Sequence, residues 1–104
     1  MRLPFEVNAA IEFEDAVIWY ESEREQYGAL FASEVRRAVS RAADFPGSGG
    51  YVAGVPAEHD IRRFVLRRFP YSIITALIDG QRVVVAVAHG RRRAGYWRDR
   101  LEST

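Results

Sequence analysis

The chain contains no cysteine and no lysine, and its single methionine is the first residue. Without cysteine, neither a disulfide framework nor a thiolate nucleophile is available. Without lysine, all fifteen basic side chains are arginines, which keep their proton near neutral pH and suit carboxylate, phosphate and aromatic partners. A GC-rich coding sequence would also explain the missing lysines, so this feature alone assigns no function.

Long apolar runs are also absent. No run approaches the ~20 apolar residues that a transmembrane helix needs, and the first four residues, MRLP, lack the apolar core of a signal peptide. We therefore expect a cytoplasmic protein with no membrane partner. The length of 104 residues predicts a single domain over residues 1–104, and a hydrophobic content of 48% favours a globular chain.

The net charge of +1 hides an asymmetry between the two halves. Residues 1–46 contain nine acids and five arginines, which gives −4, whereas residues 47–104 contain five acids and ten arginines, which gives +5. The basic half can therefore attract an acidic partner. Its arginines flank the strongest strand signals, at Arg62, Arg63, Arg67, Arg68, Arg91, Arg92 and Arg93.

The N-terminal half predicts a short strand followed by two helices. Residues 3–7 alternate between apolar and polar, and Pro4 places this strand at an edge because proline cannot donate to a ladder. Asn8 is the predicted N-cap of a first helix, which Gly28 ends near Tyr27. A second amphipathic helix is predicted over about residues 29–45, and Pro46 ends it.

The C-terminal half predicts the sheet. Residues 46–60 are rich in glycine and proline and predict an irregular loop, and residues 61–68 predict an edge strand. Asp79-Gly80 then separates two apolar runs and predicts a hairpin with a two-residue type I′ turn. That turn pairs Ile78 with Gln81 and, at the far end, Tyr71 with Ala88.

This register makes both faces of the hairpin apolar. One face would carry Ser72, Ile74, Ala76, Val83, Val85 and Val87, and the other Tyr71, Ile73, Thr75, Leu77, Val84 and Ala86. A helical hairpin covers only one face, so the other is expected to stay uncovered and to bind a partner. The predicted fold class is α+β, with an N-terminal helical hairpin packed on a mostly antiparallel sheet in the order βααβββ.

Two sets of short motifs follow the order and spacing of a known protein family. Those of the helical hairpin are Ala10, Ala16, Trp19-Tyr20-Glu21, Gly28, Phe31, Glu34-Val35 and Phe45-Pro46. Those of the sheet and the C-terminal segment are Arg62-Arg63, Arg68-Phe69-Pro70-Tyr71-Ser72-Ile73, Ala86-Val87-Ala88-His89-Gly90-Arg91-Arg92 and Tyr96-Trp97. Nearly the whole chain thereby resembles the RelE/ParE superfamily of toxins from type II toxin–antitoxin modules, a class associated with growth inhibition and plasmid stabilization.

The resemblance implies a fold, a protein partner and two alternative activities. The implied fold is a helical hairpin on an antiparallel sheet, and the implied partner is a cognate antitoxin whose extended or helical segment wraps the toxin. RelE-like members cut mRNA on the ribosome, with basic residues and a tyrosine that correspond to residues 91–93 and Tyr96. ParE-like members inhibit DNA gyrase. Ser72 and a position near Val65 stand where the nucleases carry an arginine and a lysine, which argues against ribonuclease activity. The Phe69-Pro70-Tyr71 and His89-Gly90-Arg91 motifs resemble the ParE-like branch.

The candidate site residues follow from the basic margins of the sheet. The predicted target- or antitoxin-binding residues are Arg62, Arg67, Arg68, Arg91, Arg92, Arg93, Tyr96 and Trp97. Alternatively, these arginines pair with helix acids or form a solvated charge run, and the two aromatic residues cover the core. The candidate catalytic residues are His89, Arg92 and Tyr96, of which His89 is either a general base or a strand-end imidazole bonded to a backbone carbonyl.

No metal site or cofactor is expected, because His59 and His89 lie far apart in sequence without an acidic cluster beside either. Three functional hypotheses stay open. The first is a toxin that binds and inhibits DNA gyrase without hydrolysis, neutralised by its antitoxin. The second is a ribosome-dependent mRNA endonuclease, in which the arginines stabilise the transition-state charge. The third is an inactive relic or a plain protein-binding module.

Overall fold

The computed structural model describes residues 3–102. Two helices, α1 (Val7–Glu23) and α2 (Tyr27–Asp44), precede a four-stranded antiparallel sheet. Its strands lie side by side in chain order, as β1 (Gly50–Tyr51), β2 (Arg62–Val65), β3 (Tyr71–Ile78) and β4 (Gln81–His89). This confirms the α+β fold with a helical hairpin and a mostly antiparallel sheet, although the element order is ααββββ.

The predicted N-terminal strand is reduced to a single bridge. Phe5 pairs in parallel with Val84 on β4, and the Glu6 N–H donates to the Val84 carbonyl at 2.9 Å. The helix starts directly afterwards, because the Glu6 carboxylate accepts the backbone N–H of Asn8 at 2.7 Å. Glu6 is therefore the N-cap of α1, and the prediction of Asn8 in that role is wrong.

The two helices are separated before Gly28 rather than at it. Gln26 takes the left-handed conformation that turns the chain, with φ of 71°, and Gly28 lies in the first turn of α2. A Cβ on Gly28 would lie 2.7 Å from the Val17 carbonyl oxygen of α1. The glycine thus permits close contact between the helices. The Glu21 carboxylate closes the turn by accepting the N–H groups of Gln26 and Gly28 at 3.0 and 3.1 Å.

The β3–β4 hairpin follows the predicted register only near its tip. Asp79 and Gly80 have φ of 52° and 78°, as a type I′ turn requires, and Ile78 pairs with Gln81 as predicted. Farther along, a bulge at Val85 shifts the pairing, so that the partner of Tyr71 lies one residue later than predicted.

The bulge also changes the sheet face on which the side chains after Val85 lie. Val85 and Ala86 both pack on the face away from the helices, and Val87 returns to the helix side. The assignment of Ala86 and Val87 to faces of the sheet, as predicted from the sequence, is therefore wrong.

The core between the helices and the sheet combines buried residues of both layers. They are Ala9, Ala16, Tyr20, Phe31, Val35, Ala38, Val39, Ala42, Phe64, Leu66, Phe69, Ile73, Val84 and Val87.

The prediction of an uncovered sheet face is wrong. The chain that follows β4 folds back over this face, where Trp97 is 2% exposed and Leu101 is buried beside it. Ile61, together with Val52 and Val55 from the long loop, packs against the same cluster. Two segments without periodic apolar patterns thus supply the missing layer, and the sheet has apolar packing on both faces.

Arg82 fixes the long loop to the β3–β4 hairpin. Its guanidinium donates to Thr75 Oγ1 at 2.8 Å, to the Asp60 carbonyl at 3.1 Å and to the Asp60 carboxylate at 2.6 Å. Arg62 donates to the same carboxylate at 3.0 Å. Burial opposes ionisation of Asp60, but the hydrogen bonds from Arg62 and Arg82 outweigh it and lower the pKa of that carboxyl.

Neither helix has the length and the apolar character that a membrane span requires, and the described residues 3–102 contain no other candidate.

Candidate binding cleft at the C-terminal end of the sheet

A cleft of about 230 Å³ lies between the second face of the sheet and the segment that follows β4. It is lined by Arg63 of β2, by Ser72 and Ile74 of β3, by His89 and by most of residues 90–97. We term residues 90–97 the C-terminal turn. The structure thereby brings together several of the predicted site residues, namely His89, Arg92, Arg93, Tyr96 and Trp97.

Glu12 of α1 holds the C-terminal turn in place. Its carboxylate accepts the Tyr96 hydroxyl at 2.7 Å, two hydrogen bonds from the Arg100 guanidinium at 2.9 and 3.0 Å, and the Val87 N–H at 3.0 Å. Burial favours the neutral acid, but the hydrogen bonds from Arg100, Tyr96 and Val87 outweigh it and lower the pKa of the Glu12 carboxyl. An ionised Glu12 therefore links α1, the edge of β4 and the C-terminal turn.

Tyr96 faces this carboxylate with its hydroxyl and the cleft with its ring. Burial, followed by the hydrogen bond to Glu12, raises the pKa of the Tyr96 phenol well above its usual range. The Arg92 guanidinium lies 3.9 Å from the centroid of the ring, within the range of a strong cation–π contact. In this geometry Tyr96 positions Arg92, and its own proton stays on the phenol at neutral pH.

His89 ends β4 at the rim of the cleft and is half-buried. Its Nδ1 accepts the backbone N–H of Arg91 at 3.0 Å, and its ring meets Tyr71 edge-on with centroids 5.0 Å apart. The bond to Arg91 requires an unprotonated Nδ1, so the proton of the neutral ring lies on Nε2. The prediction of a strand-end imidazole bonded to the backbone matches this arrangement, except that the partner is an N–H group.

Three guanidiniums line the cleft, from Arg63, Arg92 and Arg93, and all three residues are exposed. Among residues 3–102, no carboxylate lies within ion-pair distance of any of them. Arg91, another predicted site residue, lies outside this cleft, in a neighbouring pocket beside Trp19 and Tyr71. Uncompensated guanidiniums that surround a concave surface attract phosphate or carboxylate groups. The cleft is therefore suited to an anionic ligand.

Three of the predicted binding residues, Arg62, Arg67 and Arg68, lie outside the cleft, and a fourth, Trp97, is buried in the core at its base. Arg62 bonds Asp60 and the carbonyls of residues 47 and 49, at 3.3 and 3.2 Å, so the alternative of a structural arginine describes it. Arg67 and Arg68 lie in a separate groove beside α2. Trp97 reaches the cleft, but its 2% exposure makes it a core residue, as its alternative assignment expected.

The residues that hold the cleft together carry no strong local signal in the sequence. Glu12 lies 84 residues before Tyr96 and 88 before Arg100, and no local pattern connects the three. The sequence contains one weak indication that Glu12 is partly buried, because this residue lies on α1 between the apolar stripe and the solvent-exposed face. Arg63 belongs to the basic margin of the sheet but is not among the predicted site residues. The pairing of β2 with β3 places it opposite Ile74 beside the cleft, and the sequence does not show this pairing.

The cleft offers anion binding and little acid–base chemistry. His89 is the one imidazole in its lining, and the Nδ1 of that ring already accepts the Arg91 N–H. In the part of the chain that the structure describes, no three His, Asp or Glu side chains converge as a metal site would require.

Comparison with protein-family models finds no match for the chain, and comparison with curated proteins finds no relative.

Proposed function

We propose that this protein is the toxin of a type II toxin–antitoxin module and that it binds and inhibits DNA gyrase through the C-terminal cleft. One observation carries the proposal: Arg63, Arg92 and Arg93 surround the cleft and have no acidic partner within residues 3–102, while the Tyr96 hydroxyl is bonded to Glu12. The cleft is thus equipped to bind an anionic surface rather than to transfer protons. The motif resemblance and the α+β fold support the same assignment.

The proposed antitoxin does not require an open sheet face. Both faces of the sheet are packed by the chain itself, so a neutralising partner has to act at the arginine-bearing margins or on the exposed sides of the helices. Neutralisation by direct masking of the cleft is the simplest mechanism, because an acidic segment competes with the target for the same guanidiniums.

The proposal is tested by inducible expression in host cells, with and without the neighbouring small open reading frame. We expect growth arrest that this second gene relieves, DNA-damage signalling with intact mRNA, and inhibition of gyrase supercoiling by the purified protein. Arg92→Ala with Arg93→Ala should remove the inhibition, because both guanidiniums line the cleft. The matched control is Arg24→Ala with Arg36→Ala, which removes the same charge outside the cleft and should leave the arrest unchanged.

Two outcomes would overturn the gyrase assignment. Harmless expression in the absence of the second gene would favour the relic or plain binding module. Cleavage of mRNA at the ribosomal A site would favour the endonuclease. The endonuclease is the second candidate because His89, Arg92, Arg93 and Tyr96 line one cleft. Tyr96→Phe separates the two activities, since a nuclease that uses this hydroxyl loses cleavage, whereas a gyrase inhibitor keeps the ring that supports Arg92.

A further inference from the structure

A second arginine-rich surface lies apart from the cleft, where α2 runs beside β2. It is a groove of about 480 Å³ lined by Glu34, Arg37 and Arg41 of α2 and by residues 65–68. We term it the edge groove. It contains four arginines and one glutamate, so its lining carries a net charge of +3. Arg37 and Arg41 belong to no site proposed above, and they are the starting point for a separate inference.

The carboxylate in the edge groove is already engaged by the protein. Glu34 is 9% exposed, and its Oε1 accepts the backbone N–H groups of Arg67 at 3.0 Å and Arg68 at 3.3 Å. Its Oε2 lies 3.8 Å from the Nε of Arg68, a long contact with a largely exposed side chain. Glu34 thus fixes the β2–β3 connection against α2 and leaves most of the positive charge of the groove uncompensated.

Three guanidiniums of the groove have no acidic partner in the part of the chain that the structure describes. Within residues 3–102, no carboxylate lies in ion-pair distance of Arg37, Arg41 or Arg67. Arg37 and Arg41 are four residues apart on one helix face, where like charges destabilise a helix by a few tenths of a kcal/mol. Fold stability therefore does not explain this arrangement, whereas an anionic ligand would.

The edge groove also offers an unpaired strand edge. The two-residue strand β1 pairs only with Arg62 and Arg63, so β2 extends beyond its neighbour at Val65. The Leu66 N–H donates to the Tyr71 carbonyl on β3 at 3.0 Å, and the alternation of an antiparallel pair therefore directs the backbone groups of Val65 outward. The Val65 side chain is 63% exposed and adds an apolar contact surface.

We propose that the edge groove binds an acidic peptide segment in extended conformation. The peptide main chain would pair with Val65, and its carboxylates would bind Arg37, Arg41 and Arg67. A nucleic acid fits less well, because the lining contains no aromatic side chain on which a base could stack. This inference goes beyond the proposed function, since it concerns another surface and holds whether or not the C-terminal cleft binds a target.

The test uses the whole protein and a fluorescein-labelled synthetic peptide of alternating Glu and Val, titrated by fluorescence anisotropy at low salt. Arg37→Ala with Arg41→Ala should weaken binding about tenfold, because two charge-assisted contacts are lost. The control, Arg24→Ala with Arg36→Ala, removes the same charge outside the groove and should stay within about twofold. In a nitrogen–proton correlation spectrum, the Val65 amide should shift and gain protection from exchange on titration.

Each other result would contradict the inference. Absence of peptide binding, or equal weakening in the two double variants, would show that the groove does not recognise the peptide. An unchanged Val65 amide would reject pairing at the strand edge. Tighter binding of a charge-matched oligothymidylate through Arg37 and Arg41 would assign the groove to nucleic acid. Growth arrest is measured separately, so the edge groove and the proposed function can fail independently.

Discussion

The most direct test of how the cleft is held together is the substitution Glu12→Gln. It keeps the size of the side chain but removes the negative charge and one acceptor oxygen. The amide cannot accept from Tyr96, Val87 and Arg100 together, and the Arg100 guanidinium loses its charge partner. The substitution therefore weakens the hydrogen bonds made by this one carboxylate and leaves the volume of the side chain unchanged.

The magnitude follows from the burial of the ion pair. The side chains of Glu12 and Arg100 are 16% and 15% exposed. Loss of one partner from a fully buried pair costs about 3–5 kcal/mol, and the remaining exposure of this pair allows partial hydration of Arg100. We expect a loss of about 2–4 kcal/mol in the free energy of unfolding. For a domain of this size, that corresponds to a decrease in Tm of roughly 10–20 °C.

Urea unfolding followed by tryptophan fluorescence suits the measurement. Trp97 is 2% exposed and packs on the second face of the sheet, whereas Trp19 is 56% exposed, so the shift in emission on unfolding reports mainly on Trp97. Glu14→Gln, at an exposed position of α1, is the matched control and should change stability by less than about 0.5 kcal/mol. A double-mutant cycle with Arg100→Met should give a coupling energy of about 1–3 kcal/mol.

The pH dependence of this effect has a defined sign. The pKa of Glu12 is lowered from 4.5 in the folded state, so its contribution is present above pH 4.5 and is lost as the pH falls through the folded value. The difference in stability between the wild type and Glu12→Gln should therefore shrink in acid. A difference that persists unchanged at low pH, or a Glu12→Gln variant as stable as Glu14→Gln, would refute the reasoning.

Two further substitutions test the packing that positions the sites. Arg82→Met should lower the free energy of unfolding by about 2–4 kcal/mol, since it leaves the partly buried Asp60 with one arginine fewer; an effect below about 0.5 kcal/mol in urea unfolding would contradict the loop contact. Gly28→Ala should destabilise by about 1–3 kcal/mol, although alanine favours helices, because its Cβ would lie 2.7 Å from the Val17 carbonyl oxygen. Gly47→Ala, with open space around the new Cβ, is the control and should be nearly neutral in the same assay.

The elements that the sequence predicted well depend on local signals. Asp79-Gly80 encodes a positive φ at two successive residues, and the tip of the hairpin follows from that alone. Apolar residues of α2 recur every three or four positions from Phe31 to Ala42, so the face and the limits of this helix are predictable to within two residues. The fold class follows from these two features, because an amphipathic helical hairpin has to cover an apolar sheet.

The features that were mispredicted depend on contacts between distant residues. The bulge at Val85 places two apolar residues on one face, and the continuous apolar run of residues 83–88 gives no sign of it. Nothing in residues 90–101 has the period of a helix or a strand, yet Trp97 and Leu101 close the second face of the sheet. A partner was predicted for that face because the sequence pattern could not reveal a covering layer without periodicity.

Two acids of the acidic N-terminal half hold segments of the basic half in place. Each helix contributes one partly or fully buried acid, Glu12 on α1 and Glu34 on α2, that holds one arginine-rich segment of the basic half. Both carboxylates bond a hydroxyl or backbone N–H groups in addition to a guanidinium, so they fix the backbone of the segment without neutralising its outer arginines. The C-terminal turn thus presents Arg92 and Arg93, and the β2–β3 connection presents Arg67. Since the two acids lie on different helices, loss of either one should perturb one basic surface and leave the other in place.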